Sequence, residues 1–511
     1  MISRFTLPLL LAMAPLGTAR ADWPMWAGTA SRNMVANGKD PIIEFNPGKK
    51  LKGKDAVDMA TTKNLKWVVE LGSQSYGSVT VAGGKVLLGT NNEKPFDSKY
   101  TGDRSILLCL DEKTGKMVWQ LPFAKLGTGK VSDWEYLGLC STTTIEGDRA
   151  YLTTNRCHVV CVDMNGLKNG NDGPFKDEAK YLSSPDNKIE ALGDTDGDII
   201  WAFDMRDECG VFPHNQTSSN VLVLEDRVYA TTSNGMDWTH SNIPAPTAPS
   251  LICLDKKTGA LMGEEGSGIS KRCLHCSWAS PGLANVDGKR QIIFAGGDGF
   301  VYGFDTTFKK EDDFNIMNEI WRFDGNPPEY RIGPDGKKKK YADFDGPSEI
   351  IATPIFYDGL VYSNSGQDPE HGEGLAMMSC IDPKGKGDLS ANPVWTFKGI
   401  GRSVSTPSIK DGLIYVAEYS GLIHCLDAKT GKQYWQYDTK GHVWGSTLVV
   451  DDKIYIGNEE GELHILQTGK ELKEVATIDF PGPLYASPVY ANDTLYLMTM
   501  SHLYAFAKPG A

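Results

Sequence analysis

Residues 421–435 run Gly-Leu-Ile-His-Cys-Leu-Asp-Ala-Lys-Thr-Gly-Lys-Gln-Tyr-Trp. The first six suit a strand whose side chains alternate between two faces. Asp427-Ala-Lys-Thr-Gly431 suits a tight turn, with the Asp carboxylate on backbone amides and the Gly at positive φ. A second strand follows and ends at Trp435, and a further short strand with Tyr415 at its centre comes before Gly421. So small a unit cannot bury its own apolar face.

The unit recurs. Asp111-Glu-Lys-Thr-Gly115 leads to Trp119, Leu251-Ile-Cys-Leu-Asp-Lys-Lys-Thr-Gly259 repeats the turn, and shorter echoes begin at Gly299 and Gly461. The strand before each turn is anchored at Leu87, Tyr151, Tyr229, Ile293, Tyr362, Tyr415, Tyr455 and Tyr496, giving eight copies. The last two spacings are 40 and 41 residues, close to the ~40–45 of a four-stranded propeller blade. Inserted loops widen most of the earlier ones. The expected fold is all-β, an eight-bladed β-propeller of four-stranded antiparallel blades. Residues 64–71, Asn-Leu-Lys-Trp-Val-Val-Glu-Leu, look like a fourth strand without its first three, and residues 485–507 like three strands without the fourth. The N-terminal strand is therefore expected to complete the last blade, closing the ring and removing exposed edges.

Three segments result. Residues 1–21 have a signal-peptide pattern: Arg4, an apolar run over residues 5–16, and Ala19-Arg20-Ala21 as an A-x-A cleavage site. Residues 22–63 have no regular pattern, and residues 64–511 form the propeller. Cleavage puts Asp22, not Cys, first, so no lipid anchor is indicated and the expected product is exported, periplasmic or secreted. It also moves the formal charge from −13 to −15, which disfavours nucleic acid and anionic membranes as partners.

Trp67, Trp119, Trp201, Trp321, Trp395 and Trp435 fit the outer-strand position, with Gly263 and the region of Val475 as exceptions. Trp134, Trp238, Trp278 and Trp444 fall in loops that reach one face. Cys109, Cys161, Cys253, Cys380 and Cys425 share the slot two residues before the turn Asp, and so belong to different blades as buried fillers. Cys140 and Cys157 flank one hairpin, within reach of a disulfide that export permits. Cys273-Leu-His-Cys276 lacks both the second pair of a zinc site and the following His of a haem site. Asp194-Thr-Asp-Gly-Asp198 opens like a calcium loop, but its Gly is fourth and Met205 stands twelfth, so a polar turn is expected.

Loops entering the innermost strands, and those between second and third strands, share one face. They gather Tyr76, Trp134, Glu135, Tyr136, His214, Gln216, Trp278, Glu349, Arg402, His442, Trp444 and Tyr485. Three long inserts, residues 90–105, 233–250 and 363–378, overhang it. The last holds Gly366-Gln-Asp-Pro-Glu-His-Gly-Glu-Gly374, dense in groups for a polar ligand or a cation. An aromatic funnel with few charges is a binding-site pattern.

The Asp-x-x-Thr-Gly-x-x-x-Trp repeats, eight copies and the leader resemble the pyrroloquinoline-quinone (PQQ) repeat propellers, over residues 67–507. That resemblance implies the fold, and either quinoprotein alcohol dehydrogenases or non-catalytic members such as the outer-membrane assembly lipoprotein. For the enzymes it implies a calcium-binding Asn, matched by Asn234 in Tyr229-Ala-Thr-Thr-Ser-Asn234. The implied catalytic Asp position holds Gly296, with Asp298 two places late, and Thr154-Asn-Arg156-Cys157 offers no Glu for the calcium. No Trp occurs near Gln216 to lie beneath a quinone, and adjacent cysteines are absent. A binding module for a small molecule or an exported protein is therefore expected, with Asn234, Trp278, Arg402 and Trp444 as ligand or cofactor contacts. The alternative is an oxidoreductase using PQQ and calcium at a rearranged site, Asn234 holding metal and Asp298 acting as catalytic group. An outer-membrane protein assembly scaffold is third.

Overall fold

Across each strand triplet one row of side chains repeats. Tyr415 pairs with Cys425 and Cys425 with Trp435; Tyr151, Cys161 and Trp201, and Tyr362, Cys380 and Trp395, align the same way. The middle position stays small because two large rings flank it. All eight anchors named above lie in second strands, from Leu87 in Lys85–Asn91 to Tyr496 in Thr494–Met498. The computed structural model describes residues 21–54 and 56–510. Apart from Ala21, the leader lies outside them.

The Asp-x-x-Thr-Gly-x-x-x-Trp motif joins one meander to the next. Asp427 accepts hydrogen bonds from the Thr430 amide and hydroxyl, at 3.0 Å each, and Asp111 and Asp255 hold Thr114 and Thr258 likewise. Gly431 has φ +70°, and a Cβ there would lie 2.6 Å from the Trp395 ring of the preceding meander. Trp395 in turn donates its indole N–H to Ala428 O at 2.9 Å. The same indole-to-carbonyl bond runs from Trp67 to Glu112, Trp119 to Met164, Trp201 to Lys256 and Trp435 to Gly469. Gly, Trp and turn thus form one lock between neighbours. Where Trp is missing at Gly263, the Phe308 ring occupies the space its Cβ would need.

The strands form four-stranded antiparallel meanders in chain order. Five are separate four-stranded sheets, one gains Val35–Ala36 as a fifth strand, and two join edge to edge and gain Gly387–Asp388 to make a nine-stranded sheet. The final meander takes its fourth strand from the other end of the chain: Leu65–Glu70 pairs antiparallel with His502–Ala507, Trp67 opposite Ala505. Two residues before each innermost strand stands a hydroxyl or amide side chain: Ser78, Thr142, Asn220, Ser280, Thr353, Thr406, Ser446 and Ser487. Hydrogen bonds step along them from Ser78 to Ser280 and from Thr353 through Ser487 back to Ser78.

Residues 22–36 are ordered in a way that their irregular pattern does not suggest. This segment lies across the innermost strands and bonds to them in turn. Trp23 pairs with Val81, Pro24 O accepts from Ile145, Ala30 O from Leu283 and Ser31 O from Phe356. Asn33 exchanges two bonds with Ile409, and Met34 O accepts from Val449. Buried Arg32 donates to Pro281 O, Trp26 O and Val221 O. All ten cysteines are free thiols; Cys140 donates to Gly138 O and Cys157 to Thr232 O instead of pairing. Asp196, in the calcium-like turn, is buried and taken by Lys99, Tyr100 and the Gly193 amide. Among the described residues no helix is long and apolar enough to cross a membrane.

Candidate functional site

A cavity of about 500 Å³ opens among the loops of one face. Its floor includes Trp26, carried there by the N-terminal segment, whose indole N–H donates to Thr353 Oγ1 at 3.2 Å. The polar row described above surfaces in it at Asn220, Ser280, Thr353 and Thr406. One wall is a cluster of rings: Tyr76 stacks on Tyr485 at 5.5 Å and 10°, and Trp444 lies 5.1 Å from Tyr485. The other wall holds Trp134 and Trp278. Trp278 is oriented by its N–H bond to Gln216 O at 3.0 Å, and Trp444 by Glu459 at 3.2 Å. Asp368 and Glu370 are the charged residues of the lining among those described, and Lys130 Nζ lies 4.0 Å from the centroid of the Trp134 ring. Burial raises the Asp368 carboxyl above its ordinary range.

Of the residues singled out from sequence, Tyr76, Trp134, Gln216, Trp278, Trp444 and Tyr485 meet in this cavity. Trp238 does not; the residue is 52% exposed. Arg402 lines a separate hollow with Glu373 and Glu418. Its buried guanidinium donates to Ser348 Oγ, Glu373 O and Asp343 O, so it fastens two loops together. Asn234 is buried with its amide consumed: Nδ2 donates to Ala245 O at 2.9 Å and Ser270 Oγ at 3.0 Å, and Oδ1 accepts from Phe212 N at 2.9 Å. Asp298 is likewise enclosed. Its Oδ2 accepts from Tyr302 Oη at 2.6 Å and from Arg272 at 2.9 and 3.1 Å, while Oδ1 takes the Phe300 amide. Burial raises the Asp298 carboxyl, with Tyr302 and Arg272 opposing the rise. Neither Asn234 nor Asp298 lines the cavity.

Beside Trp278 the loops gather four of the nine histidines, a cluster no local motif announces. His214 comes from the loop before Leu222–Leu224, His240 from the 233–250 insert, His275 from between Cys273 and Cys276, and His371 from the 363–378 insert. The signal at Cys273-Leu-His-Cys276 lay in the histidine: the two thiols are buried and Cys276 donates to Ser233 O. His275 lies 4.3 Å from His214, 4.9 Å from His240 and 5.1 Å from His371, centroid to centroid. Tyr341 stacks on it at 5.1 Å and 12°. Burial and the neighbouring imidazoles pull His214 down to about 3, and burial pulls His275 to about 4, so both rings are neutral near pH 7.

Comparisons with known proteins agree with this architecture. The chain is 29% identical over 144 residues to quinohemoprotein alcohol dehydrogenase ADH IIB of Pseudomonas putida, covering 24% of this chain and 18% of that enzyme. It is 22% identical over 328 residues to outer membrane protein assembly factor BamB of Moranella endobia, covering 60% of this chain and 77% of that protein. The match therefore spans under a fifth of the first relative and about three quarters of the second. The crystal structure of BamB from Moraxella catarrhalis superposes with a TM-score of 0.53 at 12% identity, over 88% of this chain and 98% of that chain, a likeness of fold. With its family model matched over residues 67–266 and 379–506, the chain belongs to the PQQ-repeat β-propeller family described as outer membrane protein assembly factor BamB.

Proposed function

We propose that the chain is an exported eight-bladed PQQ-repeat propeller that works by binding a small molecule in the cavity of its loop-rich face. The eight meanders, the Leu65–Glu70 pairing and the two hydrogen-bonded runs, Ser78 to Ser280 and Thr353 through Ser487 to Ser78, support one closed ring. Export is supported by the leader pattern and by the outer-membrane assembly factors among the relatives.

The observation that carries the binding reading is the cavity itself, floored by Trp26 and walled by five Trp and Tyr rings, with Asp368 and Glu370 as the charged residues of its lining. Such a lining favours a neutral or cationic ligand with a flat apolar face, through stacking and cation–π attraction. It disfavours PQQ, a tricarboxylate, because the charged side chains of the lining itself, Asp368 and Glu370, are carboxylates. The candidate residues do not fit the cofactor either: Asn234, at the implied calcium position, and Asp298, two places after the implied catalytic one, have their polar atoms already engaged. The dehydrogenase relatives make a PQQ-dependent oxidoreductase the second reading.

Calorimetry and tryptophan fluorescence separate them. With PQQ and calcium, no binding and no dye-linked oxidation of alcohols or aldoses is expected. A panel of neutral sugars and quaternary ammonium compounds is expected to quench fluorescence, with quenching lost in Trp278→Ala at unchanged melting temperature. Robust turnover with PQQ and calcium that disappears in Asp298→Asn would replace this reading with the dehydrogenase one.

A further inference from the structure

His214 donates Nδ1–H to Met236 O at 2.7 Å. A carbonyl only accepts, so in the neutral ring the lone pair is on Nε2. That nitrogen faces His240 Nε2 at 3.2 Å. Two imidazole nitrogens about 3.3 Å apart are the spacing that a tetrahedral ion with ~2.0–2.1 Å metal–nitrogen bonds imposes.

His275 supplies the independent sign of a missing ligand. It is fully buried, and neither ring nitrogen has a hydrogen-bond partner. Unpaired buried polar atoms are costly, and among the described histidines His275 alone has both ring nitrogens in that state. Its Nδ1 lies 3.3 Å from Glu349 Oε1 without hydrogen-bonding geometry. The Glu349 carboxylate is itself held by the Cys276 amide at 2.8 Å and Tyr341 Oη at 3.3 Å. A carboxylate behind one ring nitrogen and a carbonyl behind another are the supports that metal-bound histidines use. One ligand atom each from His214, His240 and His275 lie within 4.8 Å of one another, as do those from His275, Asp368 and His371.

We propose that His214, His240 and His275 bind one divalent first-row transition ion, with Asp368 or His371 as the fourth ligand. Imidazole-rich sets favour zinc, copper, nickel or cobalt over calcium and magnesium, which take oxygen. Exposed His240 gives the ion a path from solvent. Asp368 also lines the cavity, so the ion sits in the cavity wall and adds positive charge there.

The test uses the full chain stripped with a chelator, and Zn²⁺, Co²⁺ and Ca²⁺ alone as probes. One equivalent of Zn²⁺ is expected by calorimetry, Co²⁺ is expected to develop visible d–d bands, and Ca²⁺ to give no heat. His275→Ala removes a buried ring, so the decisive variants are His240→Ala and His371→Ala on the cluster's accessible side. His240→Ala should weaken Zn²⁺ at least 100-fold with unchanged circular dichroism, and one of His371→Ala and Asp368→Ala should alter the Co²⁺ spectrum; a spectrum that both leave unchanged overturns the fourth ligand. Absence of Zn²⁺ binding, or binding that His240→Ala leaves intact, overturns the site. Trp278→Ala keeps all five candidate ligands, so loss of small-molecule binding there with Zn²⁺ retained separates the two proposals.

Discussion

Trp435 and Trp238 carry the same side chain and opposite consequences. The Trp435 indole is buried between meanders and donates to Gly469 O at 2.9 Å, whereas Trp238 is exposed beside His240. Trp435→Ala should cost about 3–5 kcal/mol, the range for emptying a large aromatic site. Trp238→Ala should stay within about 0.5 kcal/mol, and, lying outside the cavity, should leave ligand binding intact. Urea unfolding of both variants checks the pair, and equal losses would contradict the division. Sequence position separated these two residues by strand against loop, but could not tell which loop tryptophans turn inward. Arg402 shows the same limit: a lone arginine on a binding face looks like a ligand contact until its donors are found on Ser348, Glu373 and Asp343.

Gly431 tests the lock between neighbouring meanders. Gly412 has nearly the same backbone, φ +75° against +70°, but a Cβ there meets nothing within 4 Å. Gly412→Ala should therefore cost about 1–2 kcal/mol from backbone strain alone. Gly431→Ala adds the displacement of Trp395 and should cost clearly more, a difference read directly from two thermal melts. Similar losses would mean that the indole moves aside freely. This repeated element was legible because one motif encodes a turn, a docking surface and a ring together, and recurs with small changes. The cavity floor was not, since residues 22–36 have no period in sequence and owe their conformation to bonds with eight other parts of the chain. Nor was the histidine cluster, whose members are separated by up to 157 residues, His214 to His371.

Deleting residues 22–71 removes both the segment beneath the cavity and the strand that covers His502–Ala507. An uncovered strand edge templates association, so light scattering should show aggregates and a lowered melting temperature. A monomer with unchanged melting would mean that the pairing contributes nothing to the whole. The same segment also imposes an order in time. Asn33 cannot reach Ile409, nor Met34 reach Val449, nor Asp22 reach Asn492, until those distant residues have been synthesised. The early residues must therefore wait, unsatisfied, while the meanders form locally one after another. Long-separation contacts of this kind slow the final step of folding. Residues 22–36 are therefore expected to seat last, giving the cavity its floor in that closing event.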